Sequence, residues 1–238
     1  MRRRPVWHTI PGHMARSNRP TGAVEKRGMF IVLEGIDGSG TTTQARLLVD
    51  RLRARGRRAH LTREPSDGPI GVLIRQILTG RVVSRSGEGR CDPVDGATVA
   101  LLFAADRLDH LRAEVEPALE AGVDVVSDRY VISSLAYQAL DNDVDWVRSI
   151  NSRARVADLT LFLDVPAAVA LERRRATRNL EERFESLSAQ ERVEQSYRAL
   201  ISEEAGLGCL VRLDGTTSSS DVADSIWREV SELLPETE

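Results

Sequence analysis

Apolar residues in this chain fall into short continuous runs set between stretches of helical spacing. Phe30-Ile31-Val32-Leu33 is one such run, and after it Ala45, Leu48, Val49 and Leu52 recur at i, i+3, i+4 and i+7. That is the pattern of a buried strand feeding an amphipathic helix. Four more strands are predicted, at Arg58–Thr62, Val123–Val126, Leu159–Leu163 and Cys209–Leu213. Around them the spacing predicts helices over Ile70–Leu78, Val94–Leu119, Val131–Leu140, Val144–Val156, Ala167–Thr177, Glu185–Glu203 and Ser220–Leu234. Strands that are apolar on both faces and separated by helices belong in a parallel sheet covered on both sides. The expected fold is α/β: one doubly wound domain over residues 29–234, with a five-stranded parallel sheet and helices on both faces.

The first 28 residues stand apart. They hold seven basic side chains against one acid, with Pro5, Pro11 and Pro20 among them, and show no periodicity. A leader outside the fold is expected: a disordered extension, a stretch ahead of a true start at Met29, or an organellar transit peptide. A secretory signal would need an apolar core that is missing here. Setting the leader aside turns the formal charge of −3 into −9 for the body, a balance that argues against binding along nucleic-acid backbones. The longest apolar run, Val99 to Ala105, is far short of the ~20 residues a membrane span needs. Cys91 and Cys209, distant in sequence, support neither a disulfide framework nor a zinc site, so a cytoplasmic location is expected.

Gly35-Ile36-Asp37-Gly38-Ser39-Gly40-Thr41-Thr42 has the glycine spacing of a phosphate-binding loop, directly after a predicted strand and opening a predicted helix. In such a loop the glycines let backbone N–H groups close on a phosphate chain, and the helix terminus adds partial positive charge. Thr42 is placed to offer its hydroxyl to Mg²⁺. One position departs from the pattern. Thr41 stands where lysine is usual, and the only lysine, Lys26, precedes the first strand.

With this loop, Thr62-Arg63-Glu64-Pro65, Leu101-Leu102-Phe103-Ala104-Ala105-Asp106-Arg107, Asp128-Arg129-Tyr130 and Ser133-Ser134-Leu135-Ala136-Tyr137-Gln138 appear in order. Together they resemble the successive motifs of the thymidylate kinases, P-loop nucleoside monophosphate kinases, and the resemblance extends across residues 29 to 234. It implies transfer of the ATP γ-phosphoryl group to thymidine monophosphate (dTMP) on the way to dTTP, with Mg²⁺, in a homodimer. The partners expected are small nucleotides, with no nucleic acid and no membrane.

The residues make chemical sense within that frame. Asp128 and Arg129 end a predicted strand, where open α/β sheets bind ligands. Arg129 suits the acceptor phosphate through its planar fork, and Asp128 a metal-bound water; a surface ion pair is the plainer alternative. Phe103 and Arg107 share one helical face. By resemblance the ring stacks on thymine and the guanidinium addresses a base oxygen, while a purely core Phe103 is the competing reading. Ser133, Ser134, Tyr137 and Gln138 are implied at the base edge and sugar, or else form a helix cap with a core tyrosine. By the same resemblance Arg63, Glu64 and Pro65 are implied to face the acceptor in a tight turn, with the isomer of the Glu64–Pro65 bond left open by the sequence.

ATP is expected along Gly35 to Thr43, including Ile36, Asp37, Gly38, Ser39, Gly40, Thr41 and Thr42, with Thr216 and Thr217 in the adenine loop. Asp37 is given a catalytic role in orienting the acceptor's sugar hydroxyl or a metal-bound water. The arginine-rich stretch near residues 173–185 reads as a lid. Family members with glycine at the Gly38 position carry catalytic arginines there, and Arg178, Arg183 and Arg174 are the expected ones. Two other functions compete: a nucleotide-binding protein impaired by its missing loop lysine, and a kinase for another deoxynucleoside monophosphate.

Overall fold

The computed structural model describes residues 27–85, 87–177, 187–203 and 208–234. At its centre is β1 (Phe30–Glu34), buried at every position. Successive side chains of a strand point to opposite faces, and here both faces are covered. Ile31 and Leu33 meet α1 (Thr41–Ala54) through Leu48 and Leu52, together with Ile226 and Val230 of α9 (Ser219–Leu233). Phe30 and Val32 pack against Leu111, Val115 and Leu119 on the opposite face. A run apolar on both sides was therefore the right sign of a central parallel strand.

The remaining strands are β2 (Ala59–Arg63), the short β3 (Ser84–Arg85) and β4 (Cys91–Asp92), β5 (Asp124–Asp128), β6 (Leu159–Asp164) and β7 (Leu210–Asp214). Five of them form the parallel sheet in the order β2-β5-β1-β6-β7. The connecting helices are α2 (Pro69–Leu78), α3 (Gly96–His110), α4 (Glu116–Glu120), α5 (Val131–Gln138), α6 (Val144–Ile150), α7 (Ala167–Thr177) and α8 (Leu187–Glu203). Leu33 lies beside Asp128 in the β1–β5 register, and Arg63 lies beside Asp128 in the β2–β5 register. The segments leaving these three strands thus emerge side by side at one edge of the sheet.

Four details correct the expectations. The segment Val94–Leu119 is not one regular helix: a π turn over Leu111–Val115 separates α3 from α4. α6 stops at Ile150, six residues short of the predicted end. The antiparallel β3–β4 hairpin was not foreseen, because two-residue strands carry no readable alternation. The leader's last two residues belong to the body: Arg27 pairs with Asp158 at 2.6 Å, and the Gly28 amide donates to the Leu119 carbonyl. A Cβ at Gly28 would overlap the Val123 carbonyl. Residues 1–26 lie outside the described residues.

Candidate active site

The loop between β1 and α1 wraps the start of the helix. Gly40 is its N-cap at φ +99°, and Gly38 sits at φ +89°, a left-handed backbone that side chains other than glycine adopt at a cost. Gly38 is also crowded: a Cβ there would come within 2.4 Å of the Ala170 carbonyl and 2.9 Å of Arg174 Cγ. The α7 backbone and the Arg174 stem therefore lie directly over the loop. Gly35 is packed as tightly, its virtual Cβ 2.5 Å from Ser39 Oγ. Ile36, Ser39 and Thr41 are buried, whereas Thr43 is exposed. Thr41 has no long cationic arm, so this position adds no charge to the loop.

At the head of α1, the Thr42 hydroxyl donates to Asp128 Oδ2 in a short contact. The other oxygen, Asp128 Oδ1, is buried without a hydrogen-bond partner. A hydroxyl beside a carboxylate with an uncommitted oxygen is a hard-oxygen donor set that fits Mg²⁺. No cluster of three or more His, Cys, Asp or Glu suited to a metal exists among the described residues, so nucleotide oxygens and water would complete the sphere.

Arg129 comes directly after β5 and is the one residue besides glycine with positive φ among those described, at +76°. Such a backbone costs of order 1–3 kcal/mol and persists only where its surroundings fix it. Here they do. Its amide donates to the Leu33 carbonyl, and its guanidinium to Gly35 O at 2.8 Å, Asp37 Oδ1 at 2.6 Å and Ser133 Oγ at 3.3 Å. The guanidinium also lies 5.4 Å from the centre of the Tyr137 ring, whose hydroxyl accepts from the Asp37 amide. Burial alone would weaken its hold on the proton, but Tyr137, Asp37, Tyr197 and Asp128 more than offset that and keep it charged.

Behind Arg129 stands a carboxylate that sequence reasoning passed over. Glu34, the last residue of β1, is fully buried and accepts from the amides of Tyr130 and Ser133, from Ser133 Oγ at 2.6 Å, and from the Tyr197 hydroxyl at 3.0 Å. Burial raises its pKa above the usual carboxylate range, against the pull of Ser133, Arg129 and Tyr197. Tyr197, from α8, also reaches Ser133 Oγ at 2.8 Å and Arg129 at 3.5 Å. A strand-end glutamate reads as a solvated edge, and nothing in a linear pattern links it to a tyrosine 163 residues away.

The acceptor motifs divide. Glu64–Pro65 is a cis peptide bond. Arg107 is nearly inaccessible, at 1% exposure. It donates twice to Glu64 Oε2, at 2.6 and 2.9 Å, and to Asn151 Oδ1, the Tyr130 carbonyl and Ser134 Oγ. Ser134, expected near the base edge, and Glu64, expected to face the acceptor, thus both hold this guanidinium. His110 shares Glu64 and contacts Thr62 Oγ1 at 2.7 Å. Burial lowers its pKa, but the Glu64 hydrogen bond and the charges of Glu64, Glu114 and Asp106 outweigh it and raise the net value. Arg63 points away into an exposed pair with Asp67.

Phe103 is half-buried and belongs to none of the three core clusters, which removes the purely core reading. Gln138 buries an unpartnered carboxamide oxygen. Thr216 is turned onto Asp214, and the carbonyls of Gly215 and Thr216 accept from Arg173 of α7, which ties the loop after β7 to α7; Thr217 is exposed. Arg178 and Arg183 lie outside the described residues.

Comparison with known proteins shows what the chain as a whole is similar to. The thymidylate kinase family model matches residues 33–226. The chain is 41% identical over 180 residues to the "Probable thymidylate kinase" of Pyrococcus abyssi, covering 73% of this chain and 83% of that one. It is 38% identical over 212 residues to the "Thymidylate kinase" of a Synechococcus species, covering 87% and 96%. Identity to the "Thymidylate kinase" of Afipia carboxidovorans is 36% over 228 residues, covering 92% and 95%.

Proposed function

The chain belongs to the thymidylate kinase family, and from that premise we propose how its residues carry out the family's reaction, transfer of the γ-phosphoryl group of ATP to dTMP. The observation that carries the reading is the meeting of two pairs at one sheet edge: Thr42 with Asp128, and Arg129 with Asp37. The first pair is a metal site at the head of a phosphate loop; the second is a fork for the acceptor phosphate.

Loop amides and the α1 terminus hold the ATP phosphates. Thr42 and Asp128 would hold Mg²⁺, which would neutralise charge on the phosphate oxygens. Arg129 grips the acceptor phosphate and aligns its attacking oxygen, so that binding replaces the entropy of a chance encounter. Its pre-set backbone and four partners keep that fork from wandering. Asp37, once released from Arg129, takes the sugar hydroxyl or a metal-bound water. Phe103 stacks on the base, while Arg107, fixed by Glu64 and Asn151, closes the pocket behind it. Arg174, whose stem lies over Gly38, supplies the cation that Thr41 does not, with Arg178 and Arg183 completing the lid.

A homodimer is supported by exposed Leu101 and Leu108 on α3 and Val72 and Leu73 on α2, two helices that pack together. No helix among the described residues is long and apolar enough to cross a membrane. The exposed, unpaired thiols of Cys91 and Cys209 favour a cytoplasmic setting.

The test is ADP release from MgATP with each nucleoside monophosphate in turn. dTMP is expected to give the highest kcat/KM; a higher value with another monophosphate, or no turnover with any, would overturn the reading.

A further inference from the structure

Three carboxylates gather behind the acceptor end of the site: Glu64 just past β2, Asp106 on α3, and Glu114 in the π turn that follows α3. The first two are buried and the third is half-buried. Asp106 is taken by the amide and hydroxyl of Ser66, both neutral donors. Arg107 alone cannot balance three anions, and unbalanced charge in an interior is costly. The imidazole of His110, with 1% of its side chain exposed, is placed to supply the second cation.

Its contacts specify that charge. Nδ1 lies 3.4 Å from Glu64 Oε1, and Nε2 lies 2.7 Å from Thr62 Oγ1 and 3.7 Å from Glu114 Oε2. Burial would raise the Glu114 pKa, but hydrogen bonds from His60 and Thr62, with the charges of His110 and His60, hold it below the usual carboxylate range. With its one proton given to Glu114, the Thr62 hydroxyl offers His110 only a lone pair, so Nε2 donates. Nδ1 faces a carboxylate and donates as well, which makes the ring an imidazolium. Two further charged groups face this cluster. Asp67 is held ionised chiefly by its hydrogen bond from Arg63 and also by His110, and His60 reaches Glu114 at 2.7 Å from the outer side.

The consequence lies at Glu64. Both bonds from Arg107, from Nη2 at 2.6 Å and Nε at 2.9 Å, end on one oxygen, Oε2. A guanidinium beside a carboxylate frequently takes both oxygens in a parallel fork. Here Oε1 is turned to His110 instead, and the rest of the guanidinium goes to Asn151 Oδ1 and Ser134 Oγ. We propose that His110 is a positioning residue for dTMP: held between Glu64 and Glu114, its cation keeps one Glu64 oxygen off Arg107 and so sets the angle at which the guanidinium backs the thymine pocket. This rests on the kinase reading. Once His110 loses its proton, Glu64 is free to turn both oxygens onto Arg107, the fork leaves Asn151 and Ser134, and the base is held less well. The π turn that begins at the next residue fits such a role, since π turns recur beside functional sites.

The test compares the parent with His110→Gln, which keeps a hydrogen-bonding side chain without its charge, in steady-state kinetics from mildly acidic to alkaline buffer. In acid the variant's KM for dTMP should exceed the parent's about tenfold, as loss of one hydrogen bond to a charged group implies. In alkaline buffer the two should converge. Taking the ratio removes the ionisation of the dTMP phosphate, which both enzymes share, and the KM for ATP should not differ at any pH. Glu114→Gln removes an anion beside the ring, so the rise in KM for dTMP should move to lower pH by about one unit. Long-range ¹H–¹⁵N NMR of the whole protein follows the His110 ring and the Arg107 Nε–H directly, and both should titrate together at the pH of the KM step. A KM ratio constant with pH, an equal rise in the KM for ATP, an unshifted step in Glu114→Gln, or an Arg107 resonance indifferent to the His110 titration would overturn the proposal. Absence of dTMP turnover in the parent would instead count against the kinase reading, and the NMR titration would then decide whether His110 governs Arg107.

Discussion

Replacing Tyr197 with phenylalanine isolates one hydroxyl. The ring stays in place, stacked on Phe162 at 5.3 Å and edge-on to Tyr137 at 6.2 Å. The losses are the donor to Glu34 and the contacts with Ser133 and Arg129. A hydrogen bond to a charged group contributes about 1.5–3 kcal/mol. Glu34 keeps three other donors, so the lower end, about 1.5 kcal/mol, applies. In a chain of this size that lowers Tm by about 3–6 °C. If the loss also loosens the Arg129 fork at the moment the acceptor phosphate must stay in line, it lowers kcat about tenfold, since 1.36 kcal/mol is a factor of ten. Thermal unfolding and steady-state kinetics with dTMP varied separate the two effects. A fall in Tm with kcat and KM unaltered would show that Tyr197 only packs, and would refute the claim that α8 positions Arg129.

Phe103→Ala removes a stacking surface worth about 1–3 kcal/mol per base, and should raise the KM for dTMP while leaving that for ATP alone; equal rises in both would point to general unfolding. Arg174→Ala should lower kcat by about 10²-fold, short of the ~10³–10⁵ that a full arginine finger supplies, and Thr41→Lys should restore part of it. Unchanged kcat in Arg174→Ala would place the missing charge elsewhere. His110 has a folded pKa raised above 6.5, so the stability it contributes is full below that value and fades as pH rises through the folded pKa. The parent should therefore lose more Tm between mildly acidic and alkaline buffer than His110→Gln, and parallel curves would contradict this.

Much of this site could be read in advance, for reasons that differ by residue. Thr42 and Asp128 lie 86 residues apart, yet Asp128 ends one recognisable apolar strand and Thr42 opens the helix that the loop after another leads into, and parallel strands deliver their carboxyl ends to one edge. Arg129 was legible for the same reason. Arg107 was found as a residue but not as a buried one, because an arginine at helical spacing gives no sign that a glutamate just past β2 awaits it. Glu34 and Tyr197 were missed outright: their importance lies in a contact between chain segments, and neither departs from the local pattern around it. The π turn after His110 was hidden because it interrupts hydrogen bonding without interrupting the apolar spacing.

The crowding at Gly38 bears on how parts of this protein could be exchanged with those of a relative. A side chain there would meet the Ala170 carbonyl before it met any solvent, and the Arg174 stem directly after. A loop carrying arginine at this position therefore cannot be grafted onto this body by itself: α7 would have to be replaced with it. The phosphate loop and the helix leading into the lid, 132 residues apart at Gly38 and Ala170, are in that sense a single inherited unit, and chimeras that divide them should misfold at the loop whatever the merits of either half.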